Sequence, residues 1–290
     1  MLSTLNSVIT GALAMGNFGL EKAIYFQLIL LGVFVVATLV GYKLISNVPT
    51  LLHTPLMSGM NALSGVTVLG ALSASASLFK LGTAGIVLSA IFGSLAIALA
   101  MVNVVGGFMV TDRMLGMIAK KKAKGQTVIY AASAVAGAGL LAVICCMDVI
   151  AKGAGTSARD WVYLAMAIVL SLGVLLGIAM MGKVAYSKIG NRFSAICMLL
   201  AIILIIVYGN GTSHIAAVWT LYIGLALGAV AGIVLAKKVK MIQMPQMVAL
   251  LNGLGGAASA IVGAFAMLGV GTGFDAFSTT TSVLAFAVGM

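Results

Sequence analysis

The stretch Ala84-Gly-Ile-Val-Leu-Ser-Ala-Ile-Phe-Gly-Ser-Leu-Ala-Ile-Ala-Leu-Ala-Met-Val-Asn103-Val-Val-Gly106-Gly-Phe-Met-Val110 runs for 27 residues without a charge. A helix needs about 20 apolar residues to cross a bilayer. A membrane strand would instead alternate over about ten. The rest of the chain follows the same pattern. Of its 290 residues, 62% are hydrophobic and 7% are charged, with a mean hydropathy of +1.23. Soluble domains carry about 25% charged residues, so this composition cannot clothe a water-soluble globule. Its hydrophobicity also excludes a disordered chain. The fold class is therefore all-α, a polytopic transmembrane helix bundle.

Eight complete spans are expected, near 24–43, 50–77, 84–110, 127–148, 161–182, 193–209, 215–236 and 246–268, with a ninth beginning at 278–290. That last segment reaches Met290 after about thirteen residues, short of the roughly 20 that crossing requires. It reads as a partial insertion or, preferably, as the cut edge of a longer polypeptide. The segment 1–23 is less apolar and suits the interface. It lacks a basic n-region and makes a poor signal peptide. Gly224, Gly228 and Gly232 repeat every fourth residue, as do Gly173 and Gly177. Such ridges let helices pack closely in lipid.

The net charge of +11 is a loop bias rather than a nucleic-acid surface, because no soluble basic face with aromatics accompanies it. Alternating the spans places Lys22, Lys80, Lys152 and Arg159 on the N-terminal side, four in all. Twelve fall on the other side: Lys43, Arg113, Lys120, Lys121, Lys122, Lys124, Lys183, Lys188, Arg192, Lys237, Lys238 and Lys240. The positive-inside rule then sets the N-terminus outside.

Polar chemistry inside the spans is sparse. Glu21, Asp112, Asp148, Asp160 and Asp275 all sit at span ends, so no paired carboxylates offer acid–base work. Cys145, Cys146 and Cys197 show no metal spacing and read as packing residues. His214 falls in a short outer loop. That leaves His53, in Pro49-Thr-Leu-Leu-His53-Thr-Pro55-Leu-Met-Ser58-Gly-Met-Asn61. Pro49 suits a helix start, and Pro55 removes a backbone bond to the Leu51 carbonyl. At about 100° per residue, His53, Asn61, Ser64 and Thr67 share a sector of about 120°. In the eighth span Asn252, Gly256, Ser259 and Gly263 share about 60°. Two readings stay open: the stripes face each other across a hydrated path in which His53 titrates, or His53 is a packed histidine and the asparagines bond across helices.

At these residues the chain resembles a known family. His53-Thr-Pro-Leu-Met-Ser-Gly-Met-Asn61-Ala-Leu-Ser-Gly65 and Gly106-Gly-Phe-Met-Val-Thr-Asp-Arg113-Met-Leu-Gly-Met resemble the membrane part of the alpha subunit of proton-translocating NAD(P) transhydrogenase. Leu235-Ala-Lys237-Lys-Val-Lys-Met-Ile-Gln-Met-Pro245-Gln-Met-Val-Ala-Leu-Leu-Asn252 resembles the start of its beta subunit. The resemblance implies two segments: residues 1–125, alpha-like with three spans, and residues 126–290, a linker span followed by a truncated beta-like region.

It also implies a function. The family couples proton movement to hydride transfer from NADH to NADP+. The NAD(H)- and NADP(H)-binding domains sit on the inner side, in a dimeric complex in a bacterial inner or mitochondrial inner membrane. One charge crossing 100 mV carries about 2.3 kcal/mol, enough to bias a balanced exchange roughly 50-fold. The expected proton path runs through His53, Asn61, Ser64, Thr67, Asn252 and Ser259. Some members carry histidine where Asn252 stands, so here the relay falls to His53. No cofactor is expected on this chain; NAD and NADP belong to partner domains, and the remaining beta-subunit spans are expected as partners too. Gly269-Val-Gly-Thr-Gly273 follows no strand and is no dinucleotide turn. Alone, the chain is expected to transfer no hydride. A free-standing small ion or proton transporter and a non-catalytic membrane anchor are the rival readings.

Overall fold

The computed structural model describes residues 32, 35–36, 38–43, 46, 48–63, 65–78, 82–118, 137–144, 156–209, 215–267 and 276–290. Among the described residues there is no strand, and the architecture is an all-α polytopic bundle. The helices are α1 (Thr50–Leu63), α2 (Val66–Leu78), α3 (Thr83–Leu88), α4 (Ser94–Ile118), α5 (Thr156–Met181), α6 (Ser187–Gly209), α7 (Ile215–Lys238), α8 (Met244–Met267) and α9 (Ala276–Gly289). Among the described residues six stretches are long and apolar enough to cross a membrane, including Thr83–Ile118 at 36 residues. The expected spans 24–43 and 127–148 fall largely outside the described residues. So do Cys145, Cys146, His214, the lysines of 120–124 and the glycines of 269–273.

The expected span 50–77 is two helices rather than one. Helix α1 begins just after Pro49, whose carbonyl accepts from the Leu52 N–H at 2.8 Å, and it carries Pro55 internally. The helix breaks near Gly65. The Gly65 N–H bonds the Ala62 carbonyl, three residues back, at 3.2 Å. A Cβ on Gly65 would run into Val104 of α4, so the break occurs where the two backbones need to close.

The expected span 84–110 continues to Ile118, which puts Asp112 and Arg113 on a helix rather than in a loop. Likewise α6 begins at Ser187, so Lys188 and Arg192 are helical. Apolar runs mark only where lipid ends, whereas a helix stops where its terminal carbonyls and amides find other partners. Gly82 opens α3 at φ +70°, a conformation that suits glycine. A π-turn, Ser89–Gly93, joins α3 to α4. Such a turn loosens the local carbonyl ladder. The Ser94 hydroxyl answers it, donating to the Ala90 carbonyl and to the Ile91 carbonyl at 3.0 Å.

Helix α4 is the axis of the bundle and packs on α1, α6, α7 and α8. Its buried side chains Ile97, Met101, Val104 and Phe108 meet Val68 and Leu72 of α2, Met198 and Ile202 of α6, and Ala258 of α8. The glycine ridges act as their spacing predicts. A Cβ at Gly224 would lie 2.6 Å from the Ser94 carbonyl, and one at Gly228 would overlap the Ala98 carbonyl. Gly173 and Gly177 seat α5 against Cys197 and Ser194 of α6. Cys197 is buried there as a packing residue. Leu172, Leu175 and Leu176 of α5 and Leu227 and Val230 of α7 stay exposed, as side chains facing lipid should. Trp161 and Trp219, also exposed, lie near the starts of α5 and α7, the amphipathic rings usual at a membrane interface.

The opposite end is basic. Arg113 donates to the carbonyls of Ala236 and, at 3.1 Å, Val239, satisfying the C-terminus of α7 with a positive charge. Arg192 of α6 grips Asp112 through two bonds of 3.0 and 3.3 Å. Lys188 of α6 lies beside Gly116. This ion pair is part-exposed and contributes about 0–1 kcal/mol, but it fixes which helix ends meet.

Candidate functional site

The polar face of α1 and α2 meets α8 at two heights. The Asn61 amide donates to the Val248 carbonyl at 3.2 Å. Further along, the Thr67 and Ser259 hydroxyls share a bond of 3.2 Å. Asn61, Thr67 and Ser259 are thus brought together across one interface. Ser64 lies outside the described residues.

The break at Gly65 shapes this contact. In an unbroken helix the Asn61 carbonyl would accept from the residue-65 N–H. That N–H is turned to Ala62, and the Asn61 carbonyl accepts instead from the Asn103 side-chain amide of α4 at 2.8 Å. Asn103 is fully buried. Asn61 therefore ties α8 with its side chain and α4 with its backbone. The spacing of α1 and α2 alone gave no hint of Asn103, although it is the lone amide in the apolar run 84–110. Sequence reading also passed over Ser58 as a buried hydroxyl. It lies one turn before Asn61, is 0% exposed, and has no hydrogen-bond partner among the described residues. Thr111 of α4 is in the same condition. An orphaned buried polar group costs about 1–3 kcal/mol, and internal water is the usual remedy. On the far side of α4 the Asn191 amide donates to the Phe108 carbonyl at 3.1 Å.

His53 stands in the first turn of α1 with an exposed side chain. Its Nε2 lies 3.0 Å from the Val48 carbonyl. A carbonyl only accepts, so Nε2 carries the hydrogen and Nδ1 is left as the ring's acceptor. Asn252 lies on a face of α8 left open by the described residues. No hydrogen bond joins it to His53 among them. Nor do the described residues contain a group of three His, Cys, Asp or Glu side chains able to hold a metal.

Residues 30–120 match the model of the 4TM region of pyridine nucleotide transhydrogenase, and residues 162–290 match that of the NAD(P) transhydrogenase beta subunit. The chain is similar to the second part of NAD(P) transhydrogenase subunit alpha of Rhodospirillum rubrum, 44% identical over 93 residues, covering 32% of this chain and 63% of that protein. The corresponding protein of Rickettsia prowazekii is 44% identical over 90 residues, covering 30% and 63%. NAD(P) transhydrogenase subunit alpha of Cereibacter sphaeroides is 44% identical over 88 residues, covering 30% of this chain and 16% of that one. The chain thus spans less than two thirds of the length of these relatives. An apolar all-α bundle that matches an alpha-type region and then a beta-type region in that order is an integral membrane protein, and it belongs to the NAD(P) transhydrogenase family as a portion of its membrane domain.

Proposed function

We propose that this chain is the proton-conducting portion of the transhydrogenase membrane domain. It couples proton translocation to hydride transfer from NADH to NADP+, carried out by NAD(H)- and NADP(H)-binding domains that dock at the basic end. Residues 1–125 play the alpha-like role and 126–290 the beta-like one. The basic end faces the cytoplasm or the mitochondrial matrix, and the N-terminus lies outside. The observation that carries the reading is the polar seam between four helices: Asn103 on the Asn61 carbonyl, Asn61 on Val248, and Thr67 on Ser259. Buried polar groups left without a partner among the described residues, as Ser58 and Thr111 are beside this seam, are where internal water is usually held.

His53 is the ionisable entry to the seam on the basic side. It is the proton relay of the path, along which Asn61, Ser64, Thr67, Asn252 and Ser259 orient water. An amide or hydroxyl cannot carry the charge change itself. The test is the full complex reconstituted in sealed vesicles with His53→Ala and His53→Asn. Proton pumping is expected to fall at least tenfold in both, with hydride exchange between the soluble domains retained in detergent. Normal pumping in either variant would falsify the assignment of His53. It would also favour the anchor reading, in which His53 is dispensable.

A further inference from the structure

We infer that Lys237 and Lys238, at the C-terminal end of α7, hold the phosphate of an anionic phospholipid whose acyl chains lie along the exposed face of that helix. The site is separate from the proton path and does not depend on it. Helix α7 has two unlike faces. Gly224, Gly228 and Gly232 set one of them against the backbone of α4. On the other, Ile223, Leu227, Val230 and Val234 are exposed. At about 100° per residue these four share a sector of about 60°. Trp219, Lys237 and Lys238 widen it only to about 100°. One stripe therefore runs from a tryptophan, through bare aliphatic side chains, to a pair of lysines.

The length of the stripe identifies what covers it. Trp219 to Lys237 is 18 residues, a rise of about 27 Å, against a hydrocarbon core of about 30 Å. Trp219 is 63% exposed, and both lysines are exposed. An indole and a lysine pair separated by one bilayer core match the two headgroup levels. Lysine stems lie along apolar surface and lift their ammonium groups to the phosphates. Side chains on this stripe stand over lipid, not over the end of the bundle that a soluble domain would cap.

Charge then gives the class of lipid. The Ala236 and Val239 carbonyls already accept from Arg113, so the end of α7 is capped without the lysines. Helices α6, α7 and α8 carry no carboxylate, and Asp112 of α4 is gripped by Arg192. The lysines must find their counter-charge outside these helices, and at this height the bilayer's own phosphates supply it. Lys240, also exposed, and Ile242, 88% exposed, follow in a short turn. Gln243 closes that turn: its N–H donates to the Lys240 carbonyl at 2.9 Å, and its side-chain oxygen accepts from the Lys240 N–H at 3.4 Å. Cations beside a bare apolar side chain compose a segment that rests in a headgroup layer. Each lysine near an anionic surface strengthens attachment about fivefold, so phosphatidylglycerol is favoured over zwitterionic phosphatidylcholine.

The probe is phosphatidylglycerol with a diazirine near the glycerol end of one acyl chain, and the matching phosphatidylcholine is its control. The full complex is reconstituted in phosphatidylcholine vesicles holding a trace of either probe, irradiated, and its crosslinks mapped by mass spectrometry. Over residues 227–242 the phosphatidylglycerol probe is expected to label at least fivefold more than the phosphatidylcholine probe. Substituting Lys237→Gln and Lys238→Gln together is expected to abolish that preference. Lys183→Gln, at an exposed lysine on the same end of the bundle, is expected to leave it intact. Equal labelling by the two probes in the unaltered complex, or a preference that survives the double substitution, overturns the site. A preference lost equally in Lys183→Gln would show a diffuse attraction to the basic end and overturn it too. Release of the soluble domains from the double variant, with the lipid preference unchanged, would assign the lysines to a protein partner instead.

Discussion

Asn61 offers two groups to two helices, and its backbone half is the more vulnerable. With the residue-65 N–H committed to Ala62, the Asn61 carbonyl depends on Asn103. Replacing Asn103 by leucine keeps the volume and removes the donor. The Asn103→Leu protein is expected to lose about 1–3 kcal/mol of stability, measured by unfolding in mixed micelles. A loss below about 0.5 kcal/mol, the range of surface substitutions, would show that the carbonyl finds another donor. Angular bookkeeping along the run 50–77 and along α8 made Asn61, Thr67 and Ser259 legible, because the break at Gly65 still leaves Asn61 and Thr67 both facing α8. Asn103 was not legible in that way. Its partner is a carbonyl released by a helix break, a backbone event that no single side chain announces. Nor did spacing reveal that His53 would turn to Val48 and that Asn252 would lie on an open face.

Among elements, α7 shows how far a glycine ridge decides packing. Gly224 and Gly228 bring its backbone against the Ser94 and Ala98 carbonyls. A valine at Gly228 must push two helices apart, because the obstacle is backbone rather than a movable side chain. Gly228→Val is expected to destabilise the bundle by about 2 kcal/mol, within the 1–3 kcal/mol typical of overpacking. Gly253→Ala on α8, with nothing within 4 Å of the added Cβ, is expected to be neutral or slightly stabilising. Thermal unfolding in detergent compares the two directly, and equal effects would contradict the α4–α7 interface. The ridge was legible because four-residue glycine spacing has one main use in lipid. Helix ends were less so. Hydropathy falls at the first charges, but α4 and α6 keep their backbone bonds through Arg113 and Arg192, whose side chains settle on neighbouring helix ends.

For the molecule as a whole, the arrangement of charges follows from its all-α topology. Arg113, Lys188, Arg192, Lys237 and Lys238 meet at one end through Asp112 and the α7 carbonyls. Trp161 and Trp219 stand toward the other. If the basic end faces inward as proposed, a membrane-impermeant maleimide should label the thiol of Lys237→Cys in inverted vesicles and leave it unlabelled in right-side-out ones. Labelling from the outside alone would reverse the orientation and the direction of the proposed proton path with it. Alternation of the spans made this asymmetry legible because lysines and arginines resist crossing the bilayer.

The stretch Thr83–Ile118 is 36 residues long, about 54 Å as a helix, while bilayer and headgroups together occupy about 40–45 Å. About two helical turns of this rod must therefore stand clear of the membrane or lean strongly to avoid doing so. Its π-turn lies near one tip, and from Ser94 to Ile118 it has no other interruption. A torque applied at the basic tip would meet no joint before Asn103, so the shaft and the middle of the bilayer should turn together.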